Sequence, residues 1–187
     1  LRENVVVKDK RNNLIETQYA EYNEKSKIFK STGATKVITT ELYKIDAEDI
    51  LIDNNQSIII SEKKATIQDR EDNKIFIENF EYQSENNIFK SVGKIQILDK
   101  KGNSYNFSQI YIDTKKKEIL GTDIKSFINQ EDFKINKKNK PRIFSNSVKI
   151  NEKISTFNKS VFTLCDYREE NKCPPWILQS KEMKHDR

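Results

Sequence analysis

The sequence predicts an all-β protein: short strands with one apolar face, stacked as near-duplicate units of about 60 residues. Three observations predict it. The apolar residues are mainly Ile, Phe, Tyr and Val, the β-branched and aromatic types that suit a pleated, half-buried surface. They alternate with polar residues at period two, so that Phe89, Ser91, Gly93, Ile95 and Ile97 share one face while Lys90, Lys94 and Gln96 take the other. Finally, one long segment recurs further along the chain. Strands with a single apolar face must bury it, which leaves a sandwich, a barrel or a stacked solenoid. The repeat favours stacking, because each unit then covers its neighbour's face.

In chain order, the first copy is "YNEKSKIFKSTGATKVITTELYKIDAEDILID" at 22–53 and the second is "YQSENNIFKSVGKIQILDKKGNSYNFSQIYID" at 82–113. They align without a gap. Ile28-Phe29-Lys30-Ser31 meets Ile88-Phe89-Lys90-Ser91, Gly33 meets Gly93, and Ile50, Ile52 and Asp53 meet Ile110, Ile112 and Asp113. The match runs on through Ile59-Ile60 against Ile119-Leu120 and Ile67 against Phe127, roughly 46 positions in all. Glycines at equivalent places point to a bend or a close backbone approach within a strand. Each unit also divides into two shorter ones, with "NKIFIENFEY" at 73–82, "SVKINEKISTF" at 147–157 and "NKSVFTL" at 158–164 repeating the pattern. "DNN" at 53–55, "EDN" at 71–73, "KKGN" at 100–103 and "TKKK" at 114–117 are turn signals between strands. The apolar spacing of "DIKSFINQEDF" at 123–133 also suits a helix, but its place in the repeat predicts strand.

Composition bounds the function. The chain has 187 residues, 35% hydrophobic and 34% charged, with a mean hydropathy of −0.83. Such values also suit disorder, but the regular return of β-branched and aromatic residues argues for a folded core. The net charge of +5 arises from lysines interleaved with acids. "KKK" at 115–117 and "KKNKPR" at 137–142 are short and lack aromatics for base stacking, so no nucleic-acid partner is expected. No apolar run is long enough for a membrane-spanning helix. The opening "LRENVVVKDK" shows neither an initiator Met nor an apolar leader core, and reads as a cut through a longer protein.

Catalytic constellations are absent from the sequence. The one histidine, His185, lies near the end of the chain, and no glycine-rich phosphate loop occurs. Cys165, Cys173 and His185 do not make a usual structural-zinc spacing, and a fourth ligand is missing. The sequence therefore predicts no enzyme, no cofactor and no metal. Both cysteines and the single Trp176 fall within "CDYREENKCPPW" at 165–176. The cysteines have three readings: buried free thiols, a local disulfide contributing about 2.5 kcal/mol by loop entropy, or pairing with cysteines elsewhere. After Pro174 and Pro175, alternation at Trp176 and Leu178 predicts a further strand.

"FTLCDYREENKCPPWILQSKEMKHD" at 162–186 resembles the end of the N-terminal periplasmic domain of the LptD family of lipopolysaccharide-assembly proteins, with Cys173, Trp176, His185 and Asp186 at the matching places. The repeats, through their "IFKSxG" and "IDAEDILID" elements, resemble the OstA or LptA-like jellyroll of the same transport system. The resemblance implies a twisted, V-shaped all-β jellyroll over 1–164, its stacked antiparallel strands forming two sheets. It also implies a segment at 165–187 leading into an outer-membrane barrel, and a location on the periplasmic face of the outer membrane. Lipopolysaccharide acyl chains would then move along an apolar groove lined by Phe29, Val37, Ile50, Ile52, Ile60, Ile67, Phe89, Ile95, Ile97, Ile110, Ile112, Leu120 and Phe127, although ordinary core packing explains the same alternation.

The implied partners are lipopolysaccharide, an LptA-like bridge protein adding a strand by β-augmentation, an LptE-like lipoprotein, and the barrel of the same chain. For the docking strand the nearest candidate is "ENVVVK" at 3–8, centred on Val5, Val6 and Val7. The family also places disulfides between this domain and barrel cysteines, with Cys173 at the matching position and Cys165 a second candidate. A β-solenoid structural or adhesive surface module, and a soluble LptA or LptC relative, are the competing expectations.

Overall fold

A computed structural model describes residues 2–8, 12–40, 42–129, 141–164 and 176–186. The strands are β1 (Arg2–Lys8), β2 (Leu14–Asn23), β3 (Ile28–Ile38), β4 (Lys44–Glu48), β5 (Leu51–Asp53), β6 (Ile58–Ser61), β7 (Ala65–Gln68), β8 (Lys74–Ile77), β9 (Phe80–Gln83), β10 (Ile88–Leu98), β11 (Ser104–Asp113), β12 (Glu118–Phe127), β13 (Arg142–Ile150), β14 (Ile154–Thr163) and β15 (Leu178–Asp186). All pairings among them are antiparallel.

The topology is a meander of long strands, each bent near its middle. β4 and β5 are two halves of one such strand, because both pair with β3, β4 through its C-terminal half and β5 through its N-terminal half. In the same way β6 with β7, and β8 with β9, each act as one interrupted strand. The bends divide the molecule into two layers joined along a crease. The first layer holds β5, β6 and β9 with the N-terminal halves of β3 and β10. The second holds β4, β7 and β8 with their C-terminal halves. This is the twisted two-layered jellyroll expected of the repeat.

Local chemistry explains the bends. Gly33 (φ +83°) and Gly93 (φ +116°) adopt the left-handed region that glycine tolerates without strain, and the ladder slips register opposite each of them. The slip turns Gly93 outward, although strict alternation had placed it on the inner face with Ser91 and Ile95. Where β4 stops and β5 begins, backbone groups lose their sheet partners. Ser31 Oγ accepts from Ile50 N at 2.9 Å. Ser61 Oγ donates to the Glu48 carbonyl at 2.8 Å, and Ser91 Oγ to the Asn79 carbonyl at 2.6 Å. Buried hydroxyls thus satisfy groups that would otherwise be stranded. This accounts for the serine in both "IFKS" motifs.

The hairpin turns form two rows along the open lips of the layers. Lys27, Ser57, Asn87 and Lys117 all take a left-handed conformation, at a spacing of about 30 residues. Their carbonyls tie successive turns together: Asn54 N donates to Lys27 O at 3.2 Å, Ser84 N to Ser57 O at 2.9 Å and Thr114 N to Asn87 O at 2.9 Å. On the other lip, Asp69 and Asp99 cap equivalent turns. Each accepts through Oδ1 from the backbone N of Asn73 or Asn103, and through Oδ2 from that residue's amide nitrogen. Half-units of about 30 residues, legible as weak sub-repeats, are therefore the structural repeat.

Candidate functional site

The site is the interior between the two layers, and strand register builds it. Across the first layer, Phe29, Ile52, Ile59, Tyr82, Phe89, Ile112 and Ile119 stand opposite one another in successive pairs. Across the second runs a matching stripe of Ile15, Val37, Ile45, Ile67, Ile75 and Ile97, which becomes more polar at Tyr105 and Ser126. Ile50, Ile95 and Ile110 are buried with these stripes in one core. Phe80 and Phe89 stack with ring centroids 5.5 Å apart.

Of the expected groove residues, Phe29, Val37, Ile50, Ile67, Phe89, Ile95, Ile97, Ile110 and Ile112 are buried inward, and Ile52 is half-buried against the core. Three are corrected. Leu120 is 50% exposed. Ile60 stands opposite Leu51 and Glu81, one residue out of phase with the inward Ile59. In both copies the first residue of the apolar pair after the turn, Ile59 or Ile119, is the inward one. The signal was available: placing the turns at 54–57 and 114–117 makes Ile59 mirror Ile52 and Ile119 mirror Ile112.

Phe127 is the third correction. The first copy breaks its strand at 62–64, whereas β12 runs on through Asp123 (φ +52°), so that Ile124, Ser126 and Ile128 turn inward. Phe127 faces outward, with Lys125 Nζ 5.5 Å from its ring centroid. The equivalence to Ile67 fails because the repeat shifts by one position there.

Buried side chains of the two layers form one continuous core. A cleft of about 30 Å³ lies between the layers, with Val37 and Ile45 of the second facing Ile59, Phe80 and Tyr82 of the first. Asn13, Thr39, Thr40 and Ser84, contributed by both lips, complete it. These nine residues include only one of the expected lining positions, Val37. The pocket's other walls come from strands whose phase the repeat alignment did not resolve.

The outward faces carry ion pairs. Lys90 Nζ lies 2.8 Å from Glu81 Oε1. Hydrogen bonds from Lys90 and then Gln83 hold the Glu81 carboxyl below its ordinary value, against a small opposing effect of burial. Lys149 and Glu118 pair at 2.8 Å, and Lys116 and Asp113 at 3.0 Å. Among the described residues no group of three His, Cys, Asp or Glu side chains converges as a metal site.

The two ends of the meander are edge strands. β1 pairs with β2, and β15 with β14. Val5 is 6% exposed and Val7 packs on the core, whereas Val6 is 63% exposed. Side chains at the first edge thus alternate, and what the strand offers a partner is its backbone. At the other end, Trp176, Ile177 and Leu178 are exposed, with Trp176 edge-on to Phe162 at 6.3 Å. His185 stands opposite Ser155 within the β14–β15 ladder. Cys165 and Cys173 lie outside the described residues.

No family model matches the chain, and no curated protein does. Among solved structures it is similar to LptH from Pseudomonas aeruginosa, described as the LptA-homologous periplasmic component of the lipopolysaccharide transport device. The identity is 15% and the TM-score 0.56, over 65% of this chain and 98% of LptH. At this identity the likeness concerns architecture, and by it this chain has the LptA-like jellyroll fold.

Proposed function

We propose that the chain is a non-catalytic bridge module of lipopolysaccharide transport, working in the periplasm and receiving acyl chains between its two layers. One observation carries the reading: two facing apolar stripes run across successive strands of an LptA-like jellyroll. Acyl methylenes drawn between them leave water, at about 0.8 kcal/mol each. Because the stripes repeat every half-unit, adjacent positions along them are similar in energy, which favours sliding over tight capture. The cleft between the layers is only about 30 Å³, so conduction requires the layers to part further.

Within this reading we assign the chain to the N-terminal domain of an LptD-like protein at the periplasmic face of the outer membrane, on the strength of Trp176, His185 and Asp186 in the C-terminal motif. The partners would be an LptA-like protein adding a strand at the β1 edge, an LptE-like lipoprotein, and a barrel to which Cys173 or Cys165 is cross-linked. A soluble LptA or LptC relative is the second reading, favoured by the coverage of nearly the whole LptH chain. The transport role is tested by a photo-crosslinker at Phe89 or Ile110 in cells. Capture of lipopolysaccharide from these inward sites is expected, and capture only from outward Lys90 would overturn it.

A further inference from the structure

Three Asn-x-Ser triplets occur in the sequence, at 55–57, 106–108 and 158–160. Such triplets are the acceptors of N-linked glycans when they lie on a surface loop of an exported protein. The fold separates the three. Asn106 lies within β11, opposite Gln96 on one side and Lys125 on the other, and its amide nitrogen donates to the Lys125 carbonyl at 3.3 Å. Asn158 lies within β14 between Ser147 and Glu182, and the hydroxyl-bearing residue of its triplet, Ser160, is 2% exposed. Presenting either triplet to an enzyme would strip a strand from between its neighbours. Asn55 needs no such disruption, because Asn54, Asn55 and Gln56 are the exposed tip of the β5–β6 turn, outside the ladder.

The turn also presents the acceptor. Asp53 Oδ1 accepts from Asn55 N at 2.9 Å and from Gln56 N at 3.1 Å, which fixes the backbone of the tip. Asn55 Nδ2 donates to the Ser26 carbonyl at 3.1 Å with one of its two hydrogens. Of the turns at 24–27, 54–57, 84–87 and 114–117 along this lip, the one at 54–57 alone carries no Lys, Arg, Asp or Glu. We propose that Asn55 is an N-glycosylation site, taking an oligosaccharide from a polyprenyl-diphosphate donor through a membrane-bound transferase. Asn55 Nδ2 forms a bond to C1 of the first sugar and gives up one proton to a basic group of the transferase. The C1–O bond to the donor breaks, and the polyprenyl diphosphate leaves with that electron pair, so no oxidant or reductant is needed. The product is a secondary amide that keeps one N–H for the Ser26 carbonyl. β5 and β6 each have a strand on both sides, so a glycan there leaves the β1 and β15 edges open to strand addition. The inference rests on the periplasmic reading above and adds a covalent modification to it.

The test recovers the whole chain from its own cell envelope and reads it by mass spectrometry, as intact protein and as peptides. The peptide that holds Asn55 should carry the added mass of one oligosaccharide. Asn55→Gln and Ser57→Ala should abolish that mass, while Gln56→Ala, which leaves the acceptor pattern intact, and Asn158→Gln should retain it. Circular dichroism of each variant should match the parent, which separates loss of the acceptor from loss of the fold. An unmodified Asn55 in the recovered parent chain, or a glycan that persists in Asn55→Gln, overturns the site. If crosslinks from Phe89 or Ile110 still capture lipopolysaccharide in that case, the bridge reading stands and the site alone falls. A glycan on Asn55 without any such capture supports the site and removes the transport role.

Discussion

Gly121 shows how little room an inward position has. It lies opposite Ile110 in the ladder, and a Cβ there would come within 2.3 Å of the Phe107 ring. The missing side chain is the space that Phe107 fills. Gly33 is the contrast: it needs its φ of +83° but has nothing within 4 Å of an added Cβ. Gly121→Ala should therefore cost about 1–3 kcal/mol through overpacking, and Gly33→Ala about 1 kcal/mol through backbone conformation alone. Urea denaturation of the two variants measures this, and equal costs would contradict the packing account. Gly33 and Gly93 were conspicuous as a repeated pair. Gly121 was not, since its equivalent in the first copy is Ser61, whose hydroxyl serves the Glu48 carbonyl.

At the scale of the element, the hairpin turns carry the repeat. Asn23, Asp53 and Asp113 each accept two backbone hydrogen bonds from the turn that follows. For Asp113 the Lys116 backbone N–H, and then the Lys116 ammonium, hold the carboxyl below its ordinary value of 3.8. Its folded pKa is depressed, so its stabilisation of the turn is present above 3.8 and fades as pH falls through the lower folded value. The backbone amide shifts of Lys115 and Lys116 should then titrate below pH 3.8, and Asp113→Asn should abolish that titration while keeping an acceptor oxygen. A midpoint at or above the ordinary value would refute the assignment. The turns after Asp53 and Asp113 were legible as polar breaks at 53–55 and 114–117, but the side-chain acceptor at the head of each was not. What the turn signals did not convey was that neighbouring turns hydrogen-bond to one another through Lys27, Ser57 and Asn87.

At the scale of the whole molecule, among the described residues the meander ends in an edge strand at β1 and another at β15, while β10, β11 and β12 have neighbours on both sides. Exposed sheet edges are sites of strand addition, which is how a bridge protein would be extended. Native-state amide exchange should find β10–β12 the best protected region and β1 and β15 the least. Uniform protection across all strands would mean that the edges are already covered. The core follows the same logic: it is deepest around Ile50, Ile110 and Phe157 and shallows toward Met183 and His185.

By itself the sequence determined the strand class, the repeat and the apolar face, because period-two alternation and turn chemistry are local properties of neighbouring residues. It also placed most of the interior, from Phe29 to Ile112. Tertiary structure decided the phase at Ile60 and Leu120, where two adjacent apolar residues satisfy alternation equally and only the partner strand chooses between them. It decided Phe127 too, since whether a strand breaks at the crease or runs through it shifts every later side chain to the other face. The cleft was beyond the sequence altogether. A space between two layers exists only where side chains distant in the chain fail to meet, and no local pattern records that.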